Sequence, residues 1–294
     1  MQIETLLWGY TLPEAPRVDT AGNLYFSDGL GAGGVHRRSP SGEVTTLVAG
    51  RKLVGGLVLH SSGGFVMAGQ EMAHWNDGLT RTLLALEGVY YFNDIHTDNR
   101  GAVYAGAIRT NMEELVARNQ GRTWDVQETQ KLITPGHCYR INLDGSVDKL
   151  YGDMNVGNGI AFSPDYRTLY HVDSFGPYIV AHDIDESGAI SNRRHIGQAS
   201  FTTGIPDGMC VDSEGALWVA HVNGGRVVRL SPNGDELAEI KLPATRVNTV
   251  TFGGPNFADM YICAANNLED PSRGGTIFRT RPGVCGIQTP LAEV

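Results

Sequence analysis

The chain has 294 residues, which is long enough for one large β domain or two average domains with substantial cores. Its net charge of −9, with no cluster of Lys and Arg, argues against a nucleic-acid partner, because contacts with phosphates need concentrated positive charge. No segment reaches the ~18–20 apolar residues of a membrane span, so we expect no membrane partner.

Cysteine usage and the N-terminus bear on the cellular compartment. The four cysteines are far apart and form no C-x-x-C pair, which favours free thiols over a disulfide framework. The first residues have neither the basic nor the apolar region of a signal peptide. We therefore expect a soluble, cytoplasmic protein.

A hairpin pattern recurs along the chain. Each copy has a short apolar run, a polar turn such as Asp212-Ser213-Glu214-Gly215, and a second run rich in strand-forming residues. Apolar runs on either side of an Asp…Gly turn predict antiparallel strand pairs. The second run starts at six positions, which are Leu24, Phe65, Val103, Leu169, Leu217 and Met260.

The spacing of these positions predicts the fold. The intervals are 41, 38, 66, 48 and 43 residues, and a four-stranded propeller blade takes ~40–50 residues. Most copies continue into a second hairpin with its own turn, for example Ser39-Pro40-Ser41-Gly42. The sequence therefore predicts an all-β fold, a six-bladed β-propeller that forms a single domain over residues 1–294. Residues 2–8 are expected to supply the missing strand of the last blade.

The 66-residue interval contains an insertion in blade three, at about residues 109–135. Its Met112, Leu115 and Val116, mixed with Glu, Gln and Lys, predict one or two short helices. An insertion on a rigid ring is expected to lie over one mouth of the central channel, where it would act as a lid. An ordered surface loop is the alternative.

Polar residues recur ten or eleven positions before the second run. Four repeats have an oxygen-bearing side chain at this point; these are Glu14, Asn93, Asn158 and Asp207. The other two repeats have Gly55 and Val250 there. Because equivalent points of all blades face the channel at the same end, we expect the four polar side chains to converge on the axis.

Converging oxygen donors, two of them carboxylates, suit a hard divalent cation such as Ca²⁺, Mg²⁺ or Mn²⁺, with Fe²⁺ also compatible. His and Cys are absent from these points, which argues against a closed structural zinc site. Each residue alone could instead serve a turn or a cap, but the shared offset favours a metal site. The acidic residues within the hairpin turns, Asp98, Asp165 and Asp212, are expected to be structural.

Segments around these residues resemble the SMP-30/gluconolactonase/luciferin-regenerating-enzyme family. They follow the family's order between about residues 13 and 265 and include Pro13-Glu14-Ala15-Pro16, Phe92-Asn93-Asp94, Asn158-Gly159-Ile160-Ala161 and Pro206-Asp207-Gly208. The resemblance implies a six-bladed propeller with one divalent metal ion (Ca, Mg, Mn, Zn or Fe) held by Glu14, Asn158 and Asp207. It also implies that Asn93 contacts metal or substrate. Many members of this family hydrolyse sugar lactones, and relatives hydrolyse organophosphates.

One position departs from the family pattern. The family often has an Arg two residues before the Asn of its Phe-Asn-Asp segment, where it helps to hold the substrate. Here that residue is Tyr91. Arg109, at the start of the insertion, could supply a substitute cation; alternatively, Tyr91 and the insertion select a less polar lactone. The candidate substrate-binding residues are therefore Asn93, Tyr91 and Arg109.

These residues suggest a metal-dependent lactonase in which the cation polarises the ring carbonyl and Asp207 is the catalytic general base. Coordination lowers the basicity of a carboxylate, so attack by a metal-bound hydroxide is the alternative. Two other functions stay open: a phosphotriesterase with Asp207 as nucleophile, and a non-catalytic propeller whose metal is structural. We expect a small-molecule substrate; its identity, the native metal and the oligomeric state are left open by the sequence.

Overall fold

The structure, a computed structural model, describes residues 1–119, 126–176, 178–198, 203–265, 272 and 274–294. Its 24 strands form six four-stranded antiparallel sheets, each of which is one blade. Blade one contains β2 (Pro13–Val18), β3 (Leu24–Asp28), β4 (Gly34–Arg38) and β5 (Val44–Ala49). Blade two contains β6 (Leu57–Leu59), β7 (Phe65–Met67), β8 (Met72–Asn76) and β9 (Leu79–Leu84). Blade three contains β10 (Tyr91–Thr97), β11 (Val103–Ile108), β12 (Gly136–Ile141) and β13 (Val147–Met154).

The remaining strands complete the ring, and β1 (Glu4–Leu7) joins the last blade. Blade four contains β14 (Gly157–Phe162), β15 (Thr168–Asp173), β16 (Tyr178–Ile184) and β17 (Ile190–Gln198). Blade five contains β18 (Ile205–Val211), β19 (Leu217–Val222), β20 (Arg226–Leu230) and β21 (Glu236–Lys241). Blade six contains β22 (Val247–Gly253), β23 (Asp259–Ala264) and β24 (Thr276–Thr280), together with β1.

The sixth blade combines both ends of the chain. Its strands lie in the order β1-β24-β23-β22, and Glu4 of β1 stands opposite Arg279 of β24. The same two side chains form an ion pair in which Arg279 Nη2 is 2.7 Å from Glu4 Oε2. This pairing covers the outer edge of β24 with a strand from the other end of the chain and so joins both chain ends in one blade. The predicted six-bladed propeller and its closure by residues 2–8 are confirmed.

Apolar side chains fill the spaces between neighbouring blades. Phe92 and Ile95 of blade three pack against Val58 and Val66 of blade two in one buried cluster. The first strand of each blade is mostly buried, whereas fourth strands such as β5 and β9 are largely exposed. Close packing on both faces leaves the inner strands little freedom, so side chains at their ends have defined positions.

The residues after β24 run across one end of the channel. The backbone of Gly286 pairs with Asp212 of blade five, and that of Ala292 pairs with His60 of blade two. Between these points, the Thr97 hydroxyl donates a hydrogen bond to the carbonyl of Pro290 at 2.5 Å. Thr97 is the last residue of the inner strand β10, and His60 and Asp212 directly follow the inner strands β6 and β18. This segment therefore crosses the mouth where the inner strands end, and the candidate site lies at the mouth where they begin.

The insertion in blade three contains two short helices between β11 and β12, as predicted. The first, α1 (Met112–Asn119), begins where Asn111 Oδ1 accepts the backbone N–H of Glu114 at 3.1 Å, an N-cap contact. The second is α2 (Val126–Gln130). Residues 120–125 of the predicted insertion lie outside the described residues. Among the helices of the described segments, none has the length and apolar content needed to cross a membrane.

The insertion packs at the end of the channel where the inner strands begin. Leu115 and Ile133 of the insertion share a buried apolar cluster with Tyr91 and Ile205, which are the first residues of β10 and β18. Phe175 of blade four belongs to the same cluster. We call these five residues the apolar roof. It fixes the insertion beside the mouth that carries the candidate site.

Candidate functional site

Five of the six inner strands break their pairing register at the same level of the channel. Such a bulge re-aims a side chain out of the regular alternation of a strand. Three of the breaks contain predicted polar residues, which are Asn93, Asn158 and Asp207, and a fourth directly follows Glu14. Each of the four keeps some solvent contact, although both of its chain neighbours are buried. The four side chains therefore line an accessible space at this mouth.

Glu14 of blade one and Asp207 of blade five repel each other. Burial raises the pKa of Glu14 well above its ordinary value, and the charge of Asp207 raises it further. Burial and then the charge of Asp94 raise the pKa of Asp207 to about 8. Both shifts disfavour the ionised form, and a nearby cation would favour it. The protein therefore compensates these two carboxylates poorly by itself.

Asn158 of blade four contacts Asp207 directly. Its side chain donates a hydrogen bond to the Asp207 carboxylate, and its Nδ2 lies 3.1 Å from the hydroxyl oxygen of Ser174, to which it donates. The Ser174 hydroxyl in turn donates to the carbonyl of Pro206 at 2.7 Å, immediately before Asp207. Only the amide nitrogen of Asn158 can donate. Its Oδ1 is therefore the atom that can bind a cation.

Asn93 of blade three stands next to this group. Its Nδ2 donates to the carbonyl of Gly157 at 3.2 Å, one residue before Asn158. Its Oδ1 lies against Gly55 of blade two, where an added Cβ would overlap it. The glycine thus makes room for Asn93, which explains why blade two has no polar side chain at its equivalent point.

In blade six the equivalent residue is Asn248; the prediction of Val250 is wrong. β22 pairs Val247 with Ala264 and Thr249 with Cys263, and the register breaks between them at Asn248. The count from β23 failed because the connection between the strands includes a short 3₁₀ helix, Pro255–Phe257, which lengthens it. Val250 instead packs in the buried apolar cluster between blades five and six.

The remaining candidates for substrate binding differ in their surroundings. Tyr91 is buried, and burial together with the charges of Asp207 and Glu14 raises the pKa of its phenol, so the side chain lies within the field of both carboxylates. Arg109 is exposed at the end of β11, with its Nη1 3.5 Å from the carbonyl oxygen of Pro135.

A further cation, Arg246, was missed from the sequence. Burial lowers the pKa of its guanidinium and the charge of Asp207 opposes that shift, so Arg246 lies within the electrostatic field of Asp207. Arg246 precedes Asn248 by two residues, as Tyr91 precedes Asn93. Correct alignment of the sixth repeat would have identified it, because it occupies in blade six the point that Tyr91 has in blade three.

A buried ion pair lies on the same inner strands. Arg17 Nη2 is 3.8 Å from Asp94 Oδ1 and donates to the carbonyl of Ile95 at 3.1 Å. Asp94 also accepts the backbone N–H groups of Ile95 and Ile160. Burial raises the pKa of Asp94 to about 6 although Arg17 opposes the shift. The repeat pattern did not indicate this pair, because the two residues come from different blades and share no offset.

The donor set fits a hard divalent cation. Within the described segments, no three His, Cys, Asp or Glu side chains cluster in a way that could hold a metal ion. An ion between Glu14 and Asp207 would therefore need the carboxamide oxygens of Asn158 or Asn93 as well. Carboxylate and carboxamide oxygens suit Ca²⁺, Mg²⁺ or Mn²⁺, whereas structural zinc sites use thiolate and imidazole ligands.

A family model described as the SMP-30/Gluconolactonase/LRE-like region matches residues 12–266. The chain belongs to the SMP-30/gluconolactonase/LRE-like family. The matched segment contains all the mouth residues described above, and the resemblance predicted from the sequence is confirmed.

Individual relatives agree with the SMP-30/gluconolactonase/LRE-like assignment. Regucalcin from Xenopus laevis is 34% identical over 295 residues, which cover 95% of this chain and 93% of the relative. A solved luciferin-regenerating enzyme has a TM-score of 0.85 at 26% identity, covering 100% of this chain and 99% of the other. A gluconolactonase from Xanthomonas campestris has a TM-score of 0.76 at 25% identity, covering 95% and 89%. At the level of the family, membership supports lactone hydrolysis or a calcium-binding propeller.

Proposed function

We propose that this protein is a divalent-metal-dependent lactonase, which opens a small cyclic ester to its hydroxy acid. The observation that carries the proposal is the pair of repelling carboxylates, Glu14 and Asp207, which keep solvent contact at one mouth of the channel. Titratable groups whose pKa values are shifted by burial together with a neighbouring charge are typical of functional sites. Family membership supports the same class of activity.

The proposed ligands of the ion are Glu14, Asn158 and Asp207, with Asn93 beside them. A bound cation would polarise the ester carbonyl and stabilise the negative charge that develops on its oxygen. Glu14 and Asp207 must both be ionised to act as ligands, and their raised pKa values oppose this in the metal-free protein. Oxygen chemistry favours Ca²⁺, Mg²⁺ or Mn²⁺ as the native metal.

Asp207 is the proposed general base. Its carboxylate would take a proton from the water that attacks the carbonyl carbon, and would return it to the ring oxygen as the C–O bond breaks. The hydrogen bond from Asn158 would fix the orientation of the carboxylate during both transfers. Burial helps the base, because it raises the proton affinity that metal coordination would lower.

The apolar roof bears on the substrate. Tyr91 lies where the family often has an Arg, and it packs with Leu115 and Ile133 of the insertion. We therefore propose a lactone with an apolar substituent, for which the insertion acts as a lid. Arg246, which lies within the electrostatic field of Asp207, would attract the carboxylate of the product.

Hydrolysis assays on full-length protein test this function. Acid release from γ- and δ-lactones, with and without an alkyl chain, would be followed after chelation and after return of Ca²⁺, Mg²⁺, Mn²⁺, Zn²⁺ or Fe²⁺. We expect no turnover without metal, turnover with at least one ion, and a preference for the alkyl lactones. A phosphotriester in the same series tests the other hydrolase class. Hydrolysis of that ester alone, or of nothing with any ion, would contradict the proposal.

A further inference from the structure

Asn248 connects blade six to blade one beside the candidate site. Its Nδ2 donates to the carbonyl of Pro13 at 2.7 Å, immediately before Glu14. Its amide also lies close enough to the Glu14 carboxylate to lower the pKa of that group. Since only the amide nitrogen of Asn can donate, both contacts use the same Nδ2 group. One amide therefore restrains the backbone and the side chain of Glu14 together.

The position is unfavourable for Asn in one respect. Asn248 is 2% exposed, and within the described residues its buried Oδ1 has no hydrogen-bond partner. Leaving a buried acceptor unpaired costs about 1–3 kcal/mol. An aliphatic side chain of similar size would avoid this cost, and the neighbouring residues Val247 and Val250 are aliphatic. Such a side chain would also leave the carbonyl of Pro13 without its donor, so the unpaired oxygen indicates that the position requires the amide N–H group of Asn248.

We propose that Asn248 is a positioning residue that holds Glu14 in the orientation needed to bind the divalent ion. The inference rests on the proposed metal site and adds to it a residue of blade six that does not itself bind the ion. Carboxylate ligands of metal sites are generally fixed by hydrogen bonds from a second layer of residues, and loss of such a partner typically costs 10–100-fold in affinity.

Isothermal titration of Ca²⁺ and Mn²⁺ into the full chain tests the inference without any substrate. Asn248→Leu removes the whole amide, and Asn248→Asp keeps the oxygen but replaces the donor with a second acceptor. Thr97→Val is the matched control, because it removes a side chain-to-carbonyl hydrogen bond at the opposite mouth. Circular dichroism and thermal unfolding of the metal-free proteins show that each variant is folded.

We expect both Asn248 variants to bind the ions about 10–100-fold more weakly than wild type, and Thr97→Val to bind them normally. Unchanged affinity in both Asn248 variants would overturn the inference and leave Asn248 as a link between blades. Weaker binding in Asn248→Leu with normal or tighter binding in Asn248→Asp would also overturn it, because the oxygen would then be a ligand. If wild type itself binds no ion, the proposed metal site fails and the inference fails with it.

Discussion

Aspartates stand at both ends of the channel, and the protein surrounds them in opposite ways. At the end crossed by the C-terminal segment, Asp212 accepts hydrogen bonds from the backbone N–H groups of Glu214 and Ala216 and from the indole of Trp218. Its Oδ2 also accepts a charged hydrogen bond from Arg229 at 2.8 Å. The carboxylate is fully buried, and its own neighbours neutralise it.

At the other end, Asp207 has weaker support. It accepts hydrogen bonds from Asn158 and from the backbone of Gly208, while burial and Asp94 raise its pKa to about 8. The same kind of side chain is thus fully compensated by the protein at one mouth and only partly compensated at the other. The two aspartates therefore differ in their partners, because Asp212 has a charged partner and several donors whereas Asp207 has only two hydrogen-bond donors among the described residues.

The largest expected effect comes from the mouth that lacks compensation. Asp207→Asn removes both the general base and a ligand charge, so we expect lactone turnover to fall by at least about 10³-fold while the circular dichroism spectrum is retained. The measurement is kcat/KM with saturating metal. Near-normal turnover in this variant would remove Asp207 from the mechanism.

The matching change at the opposite mouth should affect stability instead. Asp212→Ala leaves the Trp218 indole without its acceptor and removes the buried one of the two carboxylates that Arg229 contacts, and we expect a loss of about 2–4 kcal/mol in the free energy of unfolding. Denaturant titration measures this loss. The kcat/KM of the folded fraction should stay at the wild-type value. A large fall in kcat/KM would mean that Asp212 contributes to activity as well as to stability.

The pH dependence of the metal-free protein sharpens the same contrast. The pKa of Asp207 is raised from its ordinary value of 3.8 to about 8, so the folded state holds a proton that the unfolded state releases between these values. Asp207 therefore contributes stability below about pH 4 that is lost as the pH rises towards 8. We expect Asp207→Asn to unfold a few degrees above wild type at pH 8 and to lose this advantage at pH 4. Equal differences at both pH values would show that the carboxyl does not titrate in this way.

The smallest effect concerns specificity at Tyr91. Tyr91→Arg restores the residue that the family often has there, and its charge would lie in the field of Glu14 and Asp207. We expect kcat/KM for a polyhydroxylated lactone to rise about 10-fold relative to an alkyl lactone, because the Arg side chain can donate one or two new hydrogen bonds to the hydroxyl groups of the substrate. Tyr91→Phe is the control and should keep the wild-type preference. The same preference in both variants would mean that Tyr91 does not select the substrate.

Much of the fold follows from local patterns, and so does part of the site. Apolar runs and Asp…Gly turns predicted the hairpins, and their spacing predicted six blades. The fixed offset identified Glu14, Asn93, Asn158 and Asp207 because the connection from each inner strand to the next is nearly constant in those blades. It missed Asn248 because the connection in blade six contains an additional 3₁₀ helix.

Other features depend on contacts between distant parts of the chain. Arg17 and Asp94 form an ion pair only when blades one and three face the same channel. The segment after β24 carries no hairpin pattern, yet its backbone pairs with Asp212 and His60. Neither arrangement has a periodic signal, because each is fixed by closure of the ring rather than by local preference.

We propose that one divalent ion binds between Glu14 and Asp207, the two carboxylates that the protein compensates poorly. The most direct measurement is the anomalous difference map of a crystal loaded with Mn²⁺. We predict a single strong peak at the mouth where the inner strands begin, ligated by Glu14, Asn158 and Asp207. A peak elsewhere, or a loaded crystal in which these three side chains bind no ion, would show that they do not form the metal site.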